Sequence, residues 1–171
     1  MVTTTWGQWK KDHPQTTVLS LDTGHRRDYG EGVAYRRYFG TDELMFTVPQ
    51  TDKRLKNKAE VLVLRFGPDG VRSTVIDAAF LAKQPVYQGT HGGVSYVVLT
   101  DPSGANRIYQ AQGLEFTGYQ GRAVTTADGT EWTLTEDALT SEQGKVLKRL
   151  PAHRAFWFGW HAAHPDTVLI K

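Results

Sequence analysis

"EVLVLRFGPDGVRSTVI", residues 60–76, decides how the rest of the chain is read. Two runs rich in Val, Leu and Ile flank a Pro-Asp-Gly turn. β-branched side chains suit the pleated surface of a strand, whereas Pro and Gly supply the backbone angles a tight reversal needs. The stretch therefore predicts an antiparallel hairpin turning at "FGPDGV" (66–71). The same reading extends in both directions. "TTVLSL" (16–21) and "LMFTV" (44–48) look like strands on the N-terminal side. On the other side "GGVSYVVLTD" (92–101) and "RIYQA" (107–111) flank a "PSGAN" turn. "LEFTGYQGRAVTTADGTEWTLT" (114–135) then divides at "YQG" and "ADGT" into two or three short strands. Helices are few: "TTWGQWKKDH" behind capping threonines, one or two turns in "IDAAFLAKQ" (76–84), and "HRAFWFGWHAAH" as the longest. The expected fold is one β-rich domain over residues 1–171, mainly β with some α. Its sheet is strongly curved or a partly open barrel, with a few short Trp-bearing helices over the ends.

Composition agrees with that class and removes several functions. The chain has 171 residues, 39 % hydrophobic and 22 % charged, and its 17 glycines suit a fold with many turns. Twenty basic and 18 acidic residues leave a net charge of +2, so no overall field calls for a polyanionic partner, and nucleic acid is not expected. With no cysteine, thiol nucleophiles, disulfides and Cys-type zinc sites are excluded. No apolar run approaches the roughly 20 residues of a membrane span, and "MVTTTWGQWKKDHP" lacks the apolar stretch of a signal peptide. A soluble protein is expected, with its compartment left open.

The phrase W-x2-W-x3-H-P-x-T occurs twice. Trp6, Trp9, His13, Pro14 and Thr16 fill it near the start, and Trp157, Trp160, His164, Pro165 and Thr167 fill it near the end. Both tryptophans and the histidine lie on one helical face, and proline stops each helix at the histidine. The expectation is a helix stripe anchored to the sheet by its indoles. Since one module has one place for such a unit, the N-terminal copy is expected to dock at a second site within the same chain, as a monomer.

"TTWGQWKKDHPQTTVLSLDTGHRRDYG", "ADGTEWTLTEDAL" and "RLPAHRAFWFGWHAAHPDT" together resemble the prokaryotic domain-of-unknown-function family 3179. The resemblance implies two related modules in a longer, often exported, chain. Residues 1–22 then resemble the tail of a preceding module, and residues 40–171 one complete module. It also implies a two-cysteine motif in the first module, placed after the strand equivalent to "SYVVL". Here "TDPSGAN" (100–106) occupies that place without sulfur, so redox chemistry would belong to a second, cysteine-bearing module.

Candidate sites are sparse. Residues 23–39 gather His25, Arg26, Arg27, Tyr29, Tyr35, Arg36, Arg37 and Tyr38, which could bind an anion. The plainer alternative is a loop pinned by tyrosine packing and by arginine bonds to backbone carbonyls. His91, in the Gly-rich "GTHGGVSY", is expected to face solvent or a cleft. His161 and His164 have a spacing that can bring two imidazoles to one ion, but two nitrogens make half a site. Neither a metal nor another cofactor is expected. Asp128, Glu131, Glu136 and Asp137 surround Trp132, although "TEDAL" reads more simply as a turn capped by Thr135. Two functions follow: a non-catalytic binding or structural module, or a small enzyme acting on an anionic small molecule through loops 23–39 and 89–93.

Overall fold

In the computed structural model, residues 2–68 and 72–171 are described. Its strands are β1 (Glu60–Leu64), β2 (Thr74–Asp77), β3 (Val86–His91), β4 (Val94–Thr100), β5 (Asn106–Gln110) and β6 (Phe116–Gln120). They continue as β7 (Ala123–Thr126), β8 (Glu131–Leu134), β9 (Ala138–Ser141), β10 (Val146–Lys148), β11 (Ala152–Phe156) and β12 (Val168–Ile170). The helices are α1 (Trp6–Asp12), α2 (Arg36–Phe39), α3 (Ala78–Lys83) and α4 (Trp157–Ala163). The chain is β-rich, as the turn-punctuated sequence requires. The hairpin of residues 60–76 forms as β1 and β2, antiparallel with Leu62 opposite Ile76. Residues 69–71 of its turn lie outside the described residues.

The strands divide into three sheets, none of them a closed barrel. One is ordered β11-β1-β2-β12, one β3-β4-β5 and one β10-β9-β8-β7-β6. The last two meet along two seams. At one, Tyr109 bridges Arg149. At the other, the Gln88 side chain donates to the Leu114 carbonyl and accepts from the Phe116 N–H, at 2.8 and 2.7 Å. A side chain thus replaces a ladder where the two strands are not paired.

Period-two alternation explains the layering. On β4, Val97 and Leu99 point into a core shared with Tyr109, Phe116, Trp132 and Leu139 of the five-stranded side. Tyr96 and Val98 point the other way, against Leu62, Leu64 and Ile76 of the four-stranded sheet. That sheet turns Val61, Val63 and Val75 outward to Trp157 of α4. β1 and β4 are apolar at successive positions because each is covered on both faces. Gly89 stands opposite Tyr96, and a Cβ there would lie 2.7 Å from the tyrosine oxygen.

Three assignments made from the sequence do not hold. "TTVLSL" and "LMFTV" form no strand: Leu19 is 94 % exposed and Met45 68 %, and among the described residues neither has a partner strand. β-propensity alone does not order a segment that has no ladder to join. "HRAFWFGWHAAH" is only partly helical. Its first residues belong to β11, which pairs antiparallel with β1 from Glu60↔Phe156 to Leu64↔Ala152. A long-range ladder outcompetes local helix formation there, and the helix starts at Trp157. Its first N–H groups are satisfied by backbone rather than by a side-chain cap, Trp157 donating to Ala59 at 2.8 Å and Phe158 to Asn57 at 2.9 Å.

Candidate functional site

The two Trp-His-Pro-Thr segments fold locally in the same way. In α4 the Trp160 indole donates to Thr167 Oγ1 at 3.1 Å, and His164 stacks on the Trp160 ring at 4.1 Å. In α1 the Trp9 indole donates to Thr16 Oγ1 at 2.9 Å, and His13 lies over Trp9 at 4.0 Å. Each histidine is the C-cap, with φ −132° and ψ 67° at His13 and φ −136° and ψ 69° at His164. Its N–H donates to the carbonyl of the stacked tryptophan, at 2.8 and 2.9 Å. Proline then blocks continuation.

Beyond these local contacts the segments differ. Trp157 is fully buried and its indole donates to the Asp52 carbonyl at 3.1 Å. Thr167 is buried against Ser73, donating to its carbonyl at 3.1 Å and accepting from its hydroxyl at 2.5 Å. β12 then joins β2 in parallel, pairing Val168 with Thr74, Leu169 with Val75 and Ile170 with Ile76. At the N-terminus, Trp6 and Trp9 are 49 % and 41 % exposed, and Val18 and Leu21 are bare. The Thr4 and Ser103 hydroxyls, 3.1 Å apart, tie the start of this segment to the 101–106 loop. The expected docking of this unit within the chain is therefore not observed. α1 is amphipathic, but the face over Val61, Val63 and Val75 and the β2 edge are already taken by α4 and β12.

The sequence-derived candidates are dispersed. His25, Arg26, Arg27, Tyr29 and Arg36 are all exposed. Tyr29 bonds Thr23 Oγ1 at 2.8 Å, but among the described residues none of these arginines bonds a backbone carbonyl or a carboxylate through its side chain. Arginine bonds therefore do not pin the loop. The sequence's solvent-facing His91 is instead buried at the end of β3, its ring edge-on to Phe66 at 5.4 Å. Burial lowers its pKa below the ordinary histidine value, partly offset by a hydrogen bond to the Phe66 backbone. Among the described residues no hydrogen bond or ion pair joins His91 to the arginines of the 23–39 loop.

His161 and His164 diverge as well. His161 is buried against Trp157 at 5.1 Å, with Nε2 3.3 Å from Asp52 Oδ2 and Nδ1 without a partner. Burial would raise the Asp52 pKa, but hydrogen bonds and charge from Arg54, with His161 adding, hold it below the usual carboxylate range. Each imidazole packs on the tryptophan four residues before it, so the two do not face one ion. Among the described residues no group of three or more His, Cys, Asp or Glu could hold a metal.

A partly buried ion cluster escaped the sequence reading. Arg107, its side chain 10 % exposed, donates to Asp101 Oδ2 at 3.0 Å and to Glu136 Oε1 at 2.8 Å, and Arg149 pairs with the same glutamate. Asp101 Oδ1 also accepts from Ser103 N, Ser103 Oγ and Ala105 N. The 101–106 loop is thus a closed polar turn, locked by charge. Of the acids around Trp132, Glu136 is committed to these arginines. Asp128 caps its own turn, accepting from Thr126 Oγ1 and Thr130 N. Thr135 Oγ1 accepts from Ala138 N, the turn expected of "TEDAL". Nothing local in the sequence marks Arg107 as buried, because its partners come from separate loops.

Fold and segments define a layered β module with one closing Trp unit built in and a like unit outside. The chain matches, over residues 1–167, the family described as Protein of unknown function (DUF3179), and it belongs to that family. Comparison with curated proteins and with solved structures gave no match. Among the described residues no helix is long and apolar enough to cross a membrane.

Proposed function

We propose that this chain is a non-catalytic binding or structural module. Residues 40–171 make one complete module, and residues 1–22 are a second copy of its closing unit that serves a neighbouring, cysteine-bearing module. One observation carries the reading: the same Trp-His-Pro-Thr geometry occurs once buried in the sheet and once exposed. The absence of cysteine supports it, as does the self-satisfied 101–106 turn, which offers no thiol at the place of the family's two-cysteine motif. The chain on its own is read as a monomer, since its resident unit already fills the β2 edge that the N-terminal copy would take. Deleting residues 2–22 tests this. The melting temperature should be unchanged, because the segment stabilises something other than this domain. A fall comparable to losing a core side chain would instead make it part of this domain and remove the reading.

A second reading, a small enzyme acting on an anionic molecule, is supported by the exposed arginines, which have no carboxylate partner among the described residues. It assigns the anion to His25, Arg26, Arg27, Tyr29 and Arg36 of the exposed loop, without the buried His91 of 89–93. Phosphate titration decides it: Arg26→Ala or Arg36→Ala should weaken binding without lowering the melting temperature. No saturable binding by the unaltered chain would end it.

A further inference from the structure

The N-terminal segment carries a more specific instruction than exposure alone. In the C-terminal unit, Leu169 and Ile170 are successive strand residues that face opposite layers. Leu169 joins Trp157 and Val75, and Ile170 joins Leu62 and Leu81 on the other side. At the same distances from the His-Pro turn, the N-terminal segment has Val18 and Leu19, 69 % and 94 % exposed. A strand apolar at two successive positions is not satisfied by lying on a surface, which covers one face only. It needs the edge of a sheet that is covered on both sides.

We propose that residues 5–21 complete the sheet of a second module of this same layered build, entering as a parallel edge strand. This rests on the function proposed above. Thr17–Leu19 run beside a strand equivalent to Thr74–Ile76 and fill its unpaired N–H and C=O groups. Trp6 enters a slot like that of Trp157 and donates its indole N–H to a loop carbonyl placed as that of Asp52. The receiving sheet has an open edge. A second copy of this chain does not offer that β2-type edge, because β12 already occupies it. The Trp9–His13–Thr16 contacts preorganise the unit, so docking need order little beyond the strand.

The chain's own slot serves as the test receptor, because weakening its resident unit opens it to the other. In the full chain Trp157→Phe and Trp157→Ala are each combined with Trp6→Ala, and melting and sedimentation are followed. Trp6→Ala alone should change neither. In either Trp157 background it should lower melting further and abolish any dimer the single variant forms, since Trp6 then no longer fills the weakened slot. A synthetic peptide of residues 2–22, added in excess to Trp157→Phe, should raise its melting by several degrees. The same peptide carrying Trp6→Ala and Leu19→Asp should not. Additive effects of the two tryptophans in both backgrounds, with no shift from either peptide, would overturn the proposal. If deleting residues 2–22 is meanwhile neutral, the binding-module reading stands and only its sheet-edge partner is lost.

Discussion

Residues 6–21 and 157–170 share a motif and a local conformation, yet one is part of the core and the other is a surface. Trp157 has no exposed area and Trp6 is about half exposed, although each begins a seven-residue helix ending at His-Pro. The contrast separates two kinds of energy. The indole-to-threonine bond, the imidazole stack and the capped C-terminus arise within about two helical turns and form in both places. What makes α4 structural is non-local: a carbonyl from Asp52, a hydroxyl and a carbonyl from Ser73, and a strand edge from β2.

The comparison breaks most visibly at the first tryptophan. Trp157→Ala should cost about 3–5 kcal/mol, the range for emptying a packed aromatic site. Trp6→Ala should stay within about 0.5 kcal/mol, as exposed substitutions do. Denaturant titration of the two variants checks both numbers, and similar losses would mean that Trp6 is packed in solution. The threonines should differ in the same sense by a smaller amount. Thr167→Val leaves the Trp160 indole and the Ser73 hydroxyl without their acceptor and should cost about 1–3 kcal/mol. Thr16→Val removes an exposed bond and should cost no more than about 0.5 kcal/mol.

Limited proteolysis sharpens the contrast by rate. Trypsin should cut first at Arg26 or Arg27, in an exposed stretch without regular structure, and leave the core from β1 onward intact. Initial cleavage at Lys148 or Arg154 would place the weak region elsewhere. The smallest effect is that of pH, and it should fall on the core alone. Burial depresses the pKa of His91, so the unfolded chain takes up a proton more readily than the folded one. Stability contributed by its neutral ring is present above the ordinary histidine pKa, about 6.5, and is lost as pH falls below that toward the depressed folded value. His153, also lowered by burial and by the Arg65 charge, adds in the same direction. Melting temperature should drop by a few degrees between pH 7 and pH 5.5, and His91→Gln should flatten that slope. An unchanged slope would assign the loss to other groups.

The residues themselves determined the class of fold. Gly, Pro and Asp punctuate β-branched runs, and the strands from β4 through β8 lie close to where those patterns put them. They also determined the Trp-His-Pro-Thr geometry, since its partners are four and seven residues apart and meet whenever a helix forms and proline ends it. Tertiary structure alone decided that "HRAF" is a strand, because the choice depended on β1, about ninety residues away in the chain. It alone buried His91 beneath Phe66 and enclosed Arg107 between Asp101 and Glu136. It also kept Val18 and Leu19 from forming the strand their composition favours. A strand is completed by hydrogen bonds to a neighbour, and residues 17–19 carry the pattern but not the neighbour.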